Sequence, residues 1–134
     1  MHLDGEFFAG RGQWGTTVAA VTRNKWVPEV CFIVFDAPEI EGCWSKRIAT
    51  AQKKLRCDFA AVVPFERVND LVHAAVMFRR IRESGGEGLI LRRPGVSYST
   101  TRTNDVLKLK ACPITGELHW RQRANLTHRS SSPA

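Results

Sequence analysis

Residues 30–38 read VCFIVFDAP. The run is short, almost continuously apolar and bounded by Pro28 and by Ala37-Pro38. A segment of this length and composition is a strand buried on both faces, and it ends on an acid, Asp36. Working outward, HLDGEFF at 2–8 alternates into a second strand that stops at the Gly10-Arg11-Gly12 turn, and a short amphipathic stretch follows from Trp14 to Thr22. Downstream, Ser45 offers an N-cap for a helix running to Leu55. AAVVPF at 60–65 forms a strand whose Pro64 marks an end or an edge.

Asn69 can cap a second helix, in which Leu71, Val72, Ala75, Phe78 and Ile81 or their neighbours recur at helical spacing, and Gly85-Gly86 stops it. Strands at 87–92 and 105–110 follow, joined by a loop rich in Ser and Thr. The order βαβαβαββ predicts an α+β protein with mixed or antiparallel sheets and helices packed on them, not a doubly wound parallel fold. The expected division is one domain over 1–110 and a polar, loosely ordered tail over 111–134 ending in RQRANLTHRSSSPA.

At 134 residues with 43% apolar side chains, such a domain can bury roughly two thirds of the surface that its unfolded chain exposes. The formal charge is +7, and all of it lies in the second half: residues 1–66 carry 8 groups of each sign, residues 67–134 carry 12 basic against 5 acidic. That asymmetry points to a polyanion, nucleic acid before a phosphate-bearing ligand or an acidic membrane. Cys31, Cys43, Cys57 and Cys112 form no CxxC pair and have no metal-type spacing with the four histidines, so reduced thiols packed as small apolar groups are expected. Asp4 and Glu6 interrupt the N-terminus before a signal-peptide core could form, and no run is long enough to span a membrane. The expected location is therefore intracellular, and the Asn125-Leu126-Thr127 sequon is a chance triplet.

Four places bring chemistry to strands. Asp4 and Glu6 alternate onto one face; Phe35 stands beside Asp36; Glu87 sits among Gly85, Gly86 and Gly88; and VLKLK at 106–110 puts Lys108 and Lys110 on one face with Leu107 and Leu109 on the other. By the same alternation Glu87 shares a face with Leu89 and Leu91, at the mouth of an apolar layer, and the glycines around it leave room for a ligand or another backbone. Carboxylates and lysines from neighbouring strands suit a nucleoside triphosphate with Mg²⁺, and an aromatic face suits its base. One lysine about 4 Å from a phosphate oxygen contributes roughly 4 kcal/mol at an effective dielectric near 20.

In this order the motifs resemble the nucleotidyltransferase (adenylation) domain of ATP-dependent DNA ligases. LDGEFFAGRGQW is similar to the family's third motif, VCFIVFDAP to the aromatic motif after it, GGEGLILRRP to the fourth and LKLK to the fifth, a match covering residues 3–110. The resemblance implies a partial adenylation-domain fold, ATP and Mg²⁺ as cofactors, and nicked double-stranded DNA as partner. Glu6 would approach the nucleotide ribose, Phe35 would stack on adenine, and Glu87 would associate with the metal. Lys108 and Lys110 would contact the α-phosphate, and Arg102, preceding the fifth motif, would help to hold phosphates. Arg47 sits where small ligases often have GxxxxR, and no role is carried over to it.

The family's first motif, KxDGxR, bears the lysine that accepts AMP, and only Met1 and His2 precede Leu3 here. Residues 111–134 are too few for the OB domain that follows in ligases. The expectation is a ligase-like chain truncated at both ends, without the lysine nucleophile and with an open sheet edge that predicts marginal stability or association, another ligase chain being one expected partner. A non-catalytic basic nucleic-acid-binding or ligase-accessory module is the alternative, and an RNA ligase or capping enzyme a third.

Overall fold

In the computed structural model of the chain, residues 1–23 and 27–111 are described in full and 118–124 by their backbone. Nine elements follow in order: β1 (Asp4–Phe8), α1 (Trp14–Thr22), β2 (Cys31–Asp36), α2 (Trp44–Lys54), β3 (Ala60–Val62), α3 (Leu71–Glu83), β4 (Gly88–Arg92), β5 (Arg102–Ala111) and β6 (Leu118–Ala124). They build two three-stranded sheets, β1-β2-β3 and β4-β5-β6. In the first, β1 is antiparallel to β2 and β3 parallel to it, so the sheet is mixed; the second is antiparallel throughout. This is the α+β architecture expected from the pattern of elements.

The apolar run at 30–38 becomes the central strand of the first sheet, as its composition requires. Val34 and Asp36, which point to the same side, are fully buried, and Ile48 and Ala51 of α2 are buried with them. Each large aliphatic side chain so buried contributes about 1.5–3 kcal/mol. On the second sheet, Val106 and Leu109 of β5 and Ala74 and Phe78 of α3 complete the core.

Several local expectations give way, each for a physical reason. Cys43, not Ser45, occupies the N-cap of α2 and makes no side-chain cap. The first-turn N–H groups of Trp44 and Ser45 instead donate to the carbonyls of Val96 and Pro94, so the loop after β4 does the capping. At α3 the cap is Asp70, one residue beyond Asn69, whose carboxylate accepts from His73 N at 2.7 Å. The buried stripe of α3 is set by Ala74 and Phe78, while Leu71 and Val72 at its first turn are exposed. β3 stops at Val62, two residues before Pro64, and lies at a sheet edge. β5 starts at Arg102 and so takes in part of the expected loop.

β6 has no counterpart in the sequence reading, which treats everything after Ala111 as polar tail. Its backbone pairs along β5 from Arg102↔Ala124 to Ala111↔Leu118. Its first four residues, Leu118-His119-Trp120-Arg121, do alternate, but the run is short and lies in an otherwise polar stretch, so composition read as a tail hides it. Residues 125–134, Cys112 and the Asn125 sequon lie outside the described residues. Cys31, Cys43 and Cys57 are free thiols, each partly buried. Among the described residues no helix is long and apolar enough to cross a membrane.

The two sheets are joined by buried charge. Asp36, at 0% exposure, accepts from Arg47 Nε at 2.7 Å and Nη2 at 3.1 Å, from the Ala37 amide at 2.8 Å, and from Arg92 Nη1 of β4 at 2.5 Å. Arg47, 1% exposed, also donates to the carbonyls of Gly42 and Val96 and lies 5.7 Å from the Tyr98 ring centroid. The Tyr98 hydroxyl donates to Asp4 at 2.5 Å, which ties the start of β1 to the loop between β4 and β5. Burial pushes the Tyr98 phenol upward, and the carboxylate of Asp4 pushes the same way, so Tyr98 remains a donor.

Arg47→Ala should destabilise the fold by roughly 3–5 kcal/mol in urea unfolding, because the buried Asp36 is then left with one guanidinium instead of two. Lys53→Ala on the exposed side of α2 should stay within about 0.5 kcal/mol. Equal effects from the two would show that the pair is not structural.

Candidate functional site

Within the first sheet, Glu6 pairs with Ile33, and Phe35 lies two residues along β2 from Ile33. Paired residues of an antiparallel ladder share a face, so Glu6 and Phe35 project from the same side, opposite to the buried Val34 and Asp36. Glu6 is exposed and Phe35 half-buried. The Phe35 carbonyl accepts from Trp44 Nε1 at 3.0 Å, which fixes the backbone that carries the ring to the start of α2. Gly5 is required beside them, since a Cβ there would stand 2.7 Å from the Ile33 carbonyl oxygen.

In the second sheet the structure brings Glu87 and Lys110 together. Lys110 Nζ donates to Glu87 Oε2 at 2.5 Å, the pair being 41% and 80% exposed. Glu87 lies just before the first residue of β4, so strand alternation does not govern it. It does not join the Leu89 and Leu91 face as expected, and turns instead to a lysine of the neighbouring strand. Lys108, two residues along β5 from Lys110, projects to the same side and pairs with Ile90. The hydrogen bond from Lys110, then its charge, then the charges of Lys108 and Arg82 hold the Glu87 carboxyl below the usual carboxylate range.

The glycines about Glu87 make room for protein. A Cβ on Gly88 would lie 2.0 Å from the Leu109 carbonyl oxygen, so Gly88 lets β5 close on β4. Gly85 has φ +81°, the left-handed conformation that ends α3.

Arg102 is exposed and opens β5 opposite Ala124, six residues before Lys108. The ladder to β6 is irregular between Thr103 and Leu107, so Arg102 and Lys108 face β6 residues only three apart, Ala124 and Arg121, roughly 10 Å along that strand. A shallow depression of about 280 Å³ lies between Leu91, Arg92, Arg93, Asn104, Asp105 and Leu107, and contains none of the six expected site residues.

Arg47 and Asp36 are the residues that sequence reasoning missed. The signal was present in the acid ending the most buried strand and in the arginine at a GxxxxR spacing, but neither type announces a partner 11 residues away. For a metal, Glu87 offers one ionised oxygen donor, and no group of three His, Cys, Asp or Glu side chains is gathered among the described residues. One carboxylate beside two lysines fits Mg²⁺ held mainly through substrate phosphates and water, and does not fit an all-protein metal cage.

A chain with Glu6 and Phe35 on one small sheet and Glu87 beside Lys110 on the other has relatives among the DNA ligases. The chain is 26% identical to the DNA ligase of Haemophilus influenzae over 113 residues, which are 81% of this chain and 42% of that protein. It shares the fold of a solved structure from a structure-function analysis of Lig E DNA ligases, concerned with DNA binding with a minimal scaffold. The TM-score is 0.71 at 24% identity, covering 81% of this chain and 45% of that one. No family model matches. The chain thus spans less than half the length of both relatives.

Because its folded pKa is depressed, the Glu87 carboxylate adds stability above the unfolded carboxyl pKa, and this is lost as pH falls through the folded value. In a carboxyl-carbon NMR titration the Glu87 midpoint should lie below that of an ordinary glutamate and return toward it in Lys110→Ala. An unchanged midpoint in the variant would remove Lys110 as the cause.

Proposed function

We propose that residues 3–110 are a ligase-type nucleotidyltransferase module that binds ATP with Mg²⁺ and engages nicked double-stranded DNA. The observation that carries the reading is the meeting of Glu87 with Lys110, beside Lys108, on adjoining strands of one sheet. Support comes from Glu6 and Phe35 sharing a face of the other sheet, and from the relationship to DNA ligases.

In this reading the Phe35 ring stacks on adenine and Glu6 receives the ribose hydroxyls. Lys108 and Lys110 neutralise the α-phosphate, where charge builds during adenylyl transfer, and Arg102 contacts phosphates from the far end of β5. Glu87, its carboxyl held low in pKa by Lys110, would hold Mg²⁺, which when bound would withdraw charge from the phosphate oxygens. Lys110 would share its contact with Glu87 with the nucleotide. The 134 residues contain no KxDGxR motif. Nucleotide and metal binding, and not the attack by lysine, are therefore the part of nick sealing assigned to these side chains.

The basic second half supports a second reading from a different class, a nucleic-acid-binding accessory module without nucleotide chemistry. Strong salt dependence of DNA binding that ATP does not alter would favour it.

Incubated with ATP and Mg²⁺, the chain should show MgATP binding by calorimetry and no gain of one AMP in intact mass. Phe35→Ala should weaken that binding by about tenfold, the 1–3 kcal/mol range of a stacked base. Absence of MgATP binding in a folded sample would sink the nucleotidyltransferase reading and leave the accessory module. A stoichiometric AMP adduct would instead show that a nucleophile lies within these residues.

A further inference from the structure

The turn that carries Glu87 gathers more cations than the motifs account for. Arg11, in the turn after β1, donates through Nη1 to the Ser84 carbonyl at 2.9 Å and to the Ser84 hydroxyl, 73 residues away in sequence. Its guanidinium runs along the turn, for a Cβ built on Gly86 would lie 3.6 Å from Arg11 Nε. From α3, Arg82 Nη1 donates to the Gly86 carbonyl at 3.1 Å, and its charge acts on Glu87. Lys110 binds Glu87 from β5, with Lys108 beside it. Arg11, Arg82 and Lys110 thus meet residues 84–88, with Lys108 next along β5; the acids there are Glu87 and the adjacent Glu83, and both arginines are exposed.

We propose that Arg11, Arg82, Lys108 and Lys110 form one phosphate-binding cluster organised by this turn. Its ligand is a row of phosphate oxygens, supplied by a polyphosphate or by the backbone of a nucleic-acid strand. The inference rests on the reading above for the two lysines and adds the two arginines. Carbonyls at the C-terminal end of α3 favour one or two nearby cations. They do not explain four, whose mutual repulsion Glu87 offsets in part and an arriving anion would lower further. A guanidinium carries five N–H donors in a planar fork suited to phosphate, and the contacts with Ser84 and Gly86 engage a single nitrogen of each arginine while aiming the rest. The main-chain contacts preorganise two flexible side chains, which lowers the entropy lost on binding.

Arg11→Gln and Arg82→Gln test this in the full chain, with Lys53→Gln and Lys54→Gln on the exposed side of α2 as equal changes of net charge elsewhere. The probes are inorganic tripolyphosphate by calorimetry and a nicked DNA duplex by anisotropy over a salt series. Each arginine variant should lose about fivefold or more in affinity for at least one probe and shed about one unit of the logarithmic salt slope on DNA, while the lysine variants stay within about twofold. Loss on tripolyphosphate assigns the cluster to a polyphosphate, and loss on DNA alone assigns it to a strand. Arg82→Gln leaves the Arg11–Ser84 contact in place, so it remains informative if Arg11→Gln disturbs the fold. Arginine variants indistinguishable from the lysine variants would overturn the cluster while wild-type binding of MgATP and nicked DNA upheld the proposed function. Arginine-dependent binding of tripolyphosphate by a chain that ignores MgATP and DNA would do the reverse. A wild-type chain that binds neither probe would overturn both.

Discussion

Everything that positions the candidate site depends on the Asp36 carboxylate being buried with two guanidiniums. The strand that bears Phe35 ends on it, the helix that follows supplies Arg47, and the strand that opens at Gly88 supplies Arg92. A carboxylate at 0% exposure is tolerable only because both its oxygens accept charged hydrogen bonds and an amide completes the set. The arrangement is stiff as well as satisfied. It dictates how the sheet with Phe35 sits against the sheet with Glu87, since neither sheet shares a strand with the other.

β1 is held to the second half of the chain at both ends, by Tyr98 on Asp4 and by Arg11 on Ser84. Glu6 lies between these ties. Its exposed carboxylate therefore projects from a strand that is fixed in place although it forms a sheet edge and carries half-exposed Phe7 and Phe8. Local packing contributes little to that, for α1 buries none of its residues. Long-range polar contacts do what a larger apolar core does elsewhere.

Periodicity and punctuation made most of the architecture legible. The apolar run at 30–36, the Gly85-Gly86 stop and the alternating LKLK each have a cause within a few residues, and each became the element expected. What stayed hidden was set at a distance. The N-terminal donors of α2 are capped by carbonyls from the loop after β4, so its start could not be read from Ser45. Glu87 escapes strand alternation by one residue, and β6 pairs along the ladder that β5 offers, its short alternation hidden in an otherwise polar stretch. Of the candidate site residues named from the sequence, Glu87 and Lys110 meet in the structure. The roles of Asp36 and Arg47 were not legible, because burial of charge is a property of the assembled fold.

The spacing of these ties also apportions the cost of ordering the chain. Asp36 meets Arg92 across 56 residues and Asp4 meets Tyr98 across 94, whereas the β4–β5 ladder closes through a single loop. Loop-closure entropy grows with the span, so these long-range ties carry more of the ordering cost than the ladder does. The junction at Asp36 is therefore the place where a change of one side chain would be felt by both sheets at once.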